Sequence, residues 1–244
     1  MTMVWFGMFV YPILVSFLIL ATPLTFVDAI FLGVLLELLP VLAVAQVQAG
    51  DGMAVNRTEI YLTSGFSILV LGLISLGLGL QTLGLERLGL GPHPRDITAE
   101  VLWTVTLVVA GILILLGFSL IRKRIGSLEN RIIRDLMPVT SREKKFFVGL
   151  ALCAGFGEEV AYRGYAVSAL VMATGSPFFA LLSTSAAFGV LHSYQGKLGV
   201  VRTSLVGLLM GVAFIHIGSL WPPMIAHALI DLVVGLALRD RLLS

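Results

Sequence analysis

Eight stretches of mostly apolar residues, each about as long as a membrane is thick, restrict this chain more than any other feature. They fall at residues 4–22, 25–48, 60–80, 98–121, 146–171, 177–194, 199–217 and 220–238. A helix needs about 20 such residues to cross about 30 Å of hydrocarbon. The breaks between the stretches carry turn chemistry: Thr22-Pro23, Gly50-Asp51-Gly52, Gly91-Pro92 with Pro94, Gly175-Ser176-Pro177, Gln195-Gly196 and Trp221-Pro222-Pro223. Only 12% of the 244 residues are charged and the mean hydropathy is +1.02. A soluble domain carries about twice that charge, so the sequence predicts an all-α, polytopic helix bundle of about eight transmembrane helices. Nothing in its charge pattern suggests a nucleic-acid partner.

The N-terminal run MTMVWFGMFVYPILVSF has no basic stretch before it and no small-residue cleavage site, and it reads as a first spanning helix rather than a removed signal. Residues 122–145 form the longest polar segment, with eight Lys or Arg against three acids. By the positive-inside rule this segment is cytoplasmic. With four spans on each side of it, both termini are expected in the cytoplasm. Arg239, Arg241 and Lys197 agree, while Arg87 and Arg95 on the other side are balanced by Glu86 and Asp96. Ile125, Leu128, Ile132, Ile133 and Leu136 recur at helical spacing in the basic segment, so a surface-lying helix and a solvated linker are equal readings. The chain thus divides into residues 1–121 with four helices, the basic loop 122–145, and residues 146–244 with four more, all within one membrane domain.

Gly65, Gly72 and Gly79 repeat every seven residues and predict a face for close helix packing. Cys153, the one cysteine, has no partner for a disulfide and reads as packing. No repeat relates the two halves, which counts against a transporter of inverted repeats.

A few ionisable residues do not sort to the loops. Glu158, Glu159 and Arg163 lie in the fifth run, His192 ends the sixth, and His227 and Asp231 lie in the eighth; Asp28, Glu37 and His216 are lesser cases. Each charge near the bilayer centre costs about 2.5–3.5 kcal/mol. Four unpaired charges would cost roughly 10 kcal/mol, comparable to a whole protein's stability. These groups must therefore satisfy one another, coordinate something, or line water. Glu159 and Arg163 are four apart with the acid first, the better order for a helical ion pair. Glu158 lies about 100° round the helix from that pair and is left free. His227 and Asp231, also four apart, share a face.

Two histidines with one or two carboxylates are the ligands of a hydrolytic zinc site. They equally suit general-base catalysis by a carboxylate, and the spacing leaves the choice open. Singly, each residue also has a plain structural reading: an ion pair for Glu159 and Arg163, a backbone-bonded imidazole for His192 or His227. Glu37 is expected to answer a backbone group freed by Pro40. His216 reads as an interfacial residue and His93, between two prolines, as a loop residue.

In order along the chain, Glu158-Glu159-Val160-Ala161-Tyr162-Arg163 fits Glu-Glu-x-x-x-Arg, Phe188-Gly189-Val190-Leu191-His192 fits Phe-x-x-x-His, and His227-Ala228-Leu229-Ile230-Asp231 fits His-x-x-x-Asn/Asp. This order resembles the CPBP family of CAAX proteases and bacteriocin-processing enzymes, also called the ABI family. Tyr162-Arg163-Gly164, and Pro222-Pro223 with Ile225-Ala226-His227, are similar too. The resemblance covers residues 157–231; residues 1–121 carry no matching motif.

The resemblance implies an intramembrane endopeptidase, with its site in a water-reachable cavity open to the cytoplasm. Glu158 then falls on the water-activating carboxylate and Arg163 on the partner of Glu159. His192 and His227 fall on the family histidines, as metal ligands or oxyanion donors, and Asp231 falls where the family accepts Asn or Asp. Zinc, if present, would be held by His192, His227, Asp231 and Glu158. The implied partners are a peptide or protein substrate and the bilayer, in a prokaryotic cell membrane; a prenylated substrate does not carry over. Two other classes use the same residues: a proton-coupled transporter, and a non-catalytic immunity or binding protein.

Overall fold

The computed structural model describes residues 2–49, 56–91, 96–125 and 131–238. The expected turn at Gly50-Asp51-Gly52, the loop with His93 and Arg95, residues Leu128 and Glu129, and the terminal Arg239 and Arg241 lie outside them. The described residues are mostly helical, with no strand among them. We label the long helices α1 (Thr2–Ala21), α2 (residues 26–49), α3 (Arg57–Thr82), α4 (Ile97–Arg124), α5 (residues 141–174), α6 (Pro177–Leu191), α7 (Gly196–Ile217) and α8 (Trp221–Leu236). A short helix, Arg131–Leu136, precedes α5.

Local chemistry sets the ends. Thr25, Asn56, Asp96, Thr140 and Ser176 each accept a hydrogen bond from a first-turn backbone N–H, filling the N-cap role. Gly175 and Gly218 close α5 and α7 at φ +68° and +69°, where a side chain would be strained.

Four segments are long and apolar enough to cross a membrane: Phe26–Gln48, Arg57–Thr82, Ile97–Arg124 and Ser193–Ile217. Three apolar helices are shorter: Val10–Leu20, Pro177–Leu191 and Trp221–Leu236. The eight expected runs are thus present as helices, but not as eight equal spans. With 15 and 16 residues, α6 and α8 reach only about 22–24 Å at 1.5 Å per residue. α6 stops where His192 leaves the helix and Gly196, at φ +78°, turns the chain into α7. That places the His192 end of α6 inside the bundle, with a 3-10 turn at Ser193–Gln195.

α5 is the centre of the bundle, packed on α3, α6 and α8, and its middle turns also meet α7. Its approach to α3 needs glycine: a Cβ on Gly72 would lie 2.5 Å from the Gly157 Cα. On the α8 side, a Cβ on Gly155 would lie 2.6 Å from the Met224 carbonyl oxygen. The seven-residue glycine face of α3 does pack: Gly65 meets Cys153, Gly72 meets Gly157 and Gly79 meets Leu88. α5 is also irregular, being π-helical over Val160–Val167. A second π turn, Val34–Leu38, interrupts α2 and packs against the first.

Candidate active site

The turn of α5 next to Gly157 carries Glu158 and Glu159, and both are buried. Close glycine packing on α3 and α8 holds the backbone of that turn. Glu159, at 0% exposure, is partnered twice on one oxygen: Arg163 Nη1 donates to its Oε1 at 2.8 Å, and His227 Nδ1 donates to the same atom at 2.7 Å. Arg163 is itself walled in. Its guanidinium lies 4.4 Å from the Phe188 ring centroid, and its Nη2 occupies the space 2.9 Å from where a Gly207 side chain would begin. A buried charge is tolerated only when paired and hydrogen-bonded, and this pair meets that condition.

The second oxygen of Glu159, Oε2, is buried without a hydrogen-bond partner, and so is that of Glu158. The Glu158 Oε2 lies 3.8 Å from His227 Nε2. Asp231 Oδ2 is also 3.8 Å from that nitrogen, and the Asp231 side chain is 38% exposed, the most open member of the group. Glu159 thus takes one ring nitrogen of His227 and turns the other toward Glu158 and Asp231. Such a carboxylate–histidine arrangement fixes the tautomer and the ring orientation.

His192 stands at the C-cap of α6, and its Nδ1 donates to the Phe188 carbonyl at 2.8 Å. A carbonyl only accepts, so Nδ1 carries the proton, and in the neutral ring Nε2 keeps its lone pair. The rings of Phe188 and His192 are 4.7 Å apart, and Phe188 meets His227 edge-on at 6.1 Å. Phe188 therefore joins all three motifs: it underlies Arg163, bonds His192 through its carbonyl, and abuts His227. Tyr194, two residues after His192, stacks beside it with ring centroids 5.8 Å apart.

The lesser cases lie elsewhere. His216 packs on Trp103 with centroids 5.3 Å apart. Asp28 is buried in its own hydroxyl cluster, formed by Thr25, Thr82 and Tyr165. Glu37 does not answer a backbone group at Pro40. Its Oε2 is without a partner, and the Tyr162 hydroxyl donates instead to the Leu35 carbonyl at 3.1 Å. The reason is reach: at the π turn that carbonyl points toward α5, where Tyr162 fills the gap from 127 residues away.

The bond pattern of both histidines, Nδ1 committed and Nε2 turned to the site, suits zinc ligation as well as it suits proton transfer. The spacing suits it less. Two donors on a tetrahedral zinc at about 2.0–2.1 Å lie about 3.4 Å apart, against the 3.8 Å from His227 to each carboxylate. Among the described residues, no group of three or more His, Cys, Asp or Glu is set to hold a metal ion. As placed, the side chains do not fit the ion, and no chemical step below is routed through one.

The all-α membrane bundle that carries this buried group is similar, over its C-terminal part, to a family of CAAX endopeptidases. Residues 142–233 match a family model described as Rce1-like, type II CAAX prenyl endopeptidase Rce1-like, which is consistent with a CPBP family intramembrane protease. The match begins at the first turn of α5 and ends two residues after Asp231, so all three motifs lie within it. No curated protein and no solved structure matches the chain.

Proposed function

We propose that the chain is an intramembrane endopeptidase in which Glu158 activates the attacking water. The observation that carries this reading is the unpartnered, buried Glu158 carboxylate oxygen beside a histidine whose other nitrogen is already fixed. Glu158 takes a proton from water as the oxygen attacks the peptide carbonyl, and a tetrahedral oxyanion forms. His227, whose Nδ1–H is held by Glu159, acts in its doubly protonated imidazolium form and donates its Nε2–H to that oxyanion, with Asp231 beside it. Glu158 then returns the proton to the leaving amine as the C–N bond breaks, so the proton balance closes within the site. His192, with its Nε2 lone pair, holds the water in line. Arg163 is a positioning residue, acting through Glu159. Preorganised donors at a developing oxyanion are each worth about 10²–10³ in rate.

The substrate is a peptide or protein segment reaching the site beside the short helix α6, from the end of the bundle that carries the basic segment 122–145. That end is cytoplasmic in this reading, with both termini on the same side of a prokaryotic cell membrane. The matched family's name specifies a prenylated substrate; here that is one arm of the test.

Purified full-length chain in nanodiscs is given a fluorogenic C-terminal peptide with and without an S-prenyl group on its cysteine. Glu158→Gln is expected to slow cleavage by about 10³-fold or more with the thermal midpoint unchanged. Undiminished cleavage would overturn the assignment, and absent cleavage with either peptide would favour a binding or immunity role. Metal content is measured on the same samples. One zinc per chain, lost together with activity in His192→Ala, would replace the carboxylate scheme with metal chemistry held by His192, His227, Asp231 and Glu158.

A further inference from the structure

The turn bearing Glu158 is tied to a part of the chain that the family match does not cover. In α2 the N–H of Leu39 bonds the Val34 carbonyl, one residue further back than in an α-helix. The Leu35 carbonyl loses its ordinary donor by that shift. The next residue along is Pro40, which has no N–H. A buried carbonyl left so costs free energy comparable to a lost hydrogen bond.

Its partner comes from α5. Tyr162 is fully buried, its hydroxyl donates to the Leu35 carbonyl at 3.1 Å, and its ring meets Phe188 edge-on with centroids 5.2 Å apart. Tyr162 follows Glu158 by four residues, within the π segment Val160–Val167. Tyr165, in the same segment, donates to Asp28 at 2.8 Å. Two hydroxyls thus fasten one irregular stretch of α5 to α2, and the nearer of them sits one turn from Glu158 and against the ring that joins the three motifs.

We propose that Tyr162 is a positioning residue for Glu158, holding the catalytic turn through a hydrogen bond to the Leu35 carbonyl that Pro40 leaves without a backbone donor. The inference rests on the reading of Glu158 as the water-activating carboxylate. It gives the N-terminal helices a share in catalysis although they carry no catalytic side chain. It also accounts for a proline inside α2, where an N–H would compete for the carbonyl.

The test uses the full-length chain in nanodiscs and the peptide substrate. Tyr162→Phe is expected to lower kcat by about 10–100-fold, the scale of a misplaced catalytic group, with KM within about twofold. The thermal midpoint should fall by about 2–4 °C. Pro40→Ala in the Tyr162→Phe background restores an N–H for Leu35, so the midpoint should recover while kcat stays low, because the tether to α5 is still missing. Recovery of kcat together with the midpoint would assign Tyr162 a merely structural role, and wild-type kcat in Tyr162→Phe would overturn the proposal outright. If the parent chain cleaves neither peptide, the site reading fails separately. The midpoints of the single and double variants would still decide whether Tyr162 and Pro40 act on one carbonyl, and an unrescued midpoint would overturn that link.

Discussion

Two buried acidic clusters share α5, and only one of them is left unfinished. Around Asp28, at 1% exposure, Thr25 Oγ1 donates to Oδ2 at 2.5 Å, Thr82 Oγ1 to both oxygens at 2.9 and 3.1 Å, and Tyr165 to Oδ1 at 2.8 Å. Every lone pair that matters is taken by a neutral donor, at the first turn of a helix, where the dipole favours negative charge. Around Glu158 and Glu159 the donors converge on a single oxygen, Glu159 Oε1, while Oε2 of each glutamate has no partner. Buried polar groups are normally satisfied, so the Asp28 cluster reads as architecture, while the glutamate cluster fits the catalytic role proposed for it.

The contrast breaks most easily at Arg163. Removing one partner of a buried pair leaves an uncompensated charge and costs about 3–5 kcal/mol. Arg163→Met is expected to destabilise by that amount in a reversible denaturant titration, because Glu159 is fully buried. Adding Glu159→Gln should recover much of the loss, since a neutral amide no longer needs the cation, but it should not recover cleavage, which needs Glu159 to hold His227. A single variant that unfolds at the parent's midpoint would mean that His227 alone balances Glu159.

Asp28→Asn tests the other side. Three hydroxyls aim at a carboxylate that the amide replaces with one acceptor and one donor, and a mispaired buried group costs about 1–3 kcal/mol. Stability should fall by that much while kcat per folded molecule is unchanged. A large fall in kcat with intact folding would show that the hydroxyl cluster also serves the chemistry.

Much of this was legible in the sequence, and what was not has a common cause. The helices follow from apolar run length against membrane thickness, and several of the breaks between them from turn chemistry such as Thr22-Pro23 and Gly175-Ser176-Pro177. The Glu159–Arg163 contact follows from helical spacing, even though the helix turns π-helical at Val160. The bond from His227 to Glu159 joins residues 68 apart, and that from Tyr162 to Leu35 residues 127 apart. Spacing within one helix carries no information about which face of another helix it meets. The π turns were invisible for a related reason. Pro40 announces a missing N–H, but only the packed bundle shows that a tyrosine from α5 supplies the donor.

A third carboxylate, at the polar end of α5, marks the smallest effect and sharpens the same contrast. Glu143 accepts from the backbone N–H of Val139 at 2.7 Å and of Thr140 at 2.8 Å, while Thr140 caps the helix in return. Arg57 adds an ion pair at 3.4 Å. These bonds, the Thr140 N–H first and the Val139 N–H next, hold its pKa down from 4.5 to about 2. A carboxylate whose folded value is depressed stabilises the folded form above its unfolded pKa, and the gain is lost as pH falls through the folded one. The first turn of α5 is therefore expected to keep its amide protection down to about pH 4.5 and to lose it progressively toward about pH 2. Hydrogen exchange of the amides in residues 141–146 reads this directly, and Glu143→Gln should abolish the pH dependence. Protection that is flat across this range in the parent chain would show that the turn is held by packing alone. The three acids differ in what surrounds them: solvent-edge partners for Glu143, a closed hydroxyl shell for Asp28, and for Glu158 the facing Nε2 of His227.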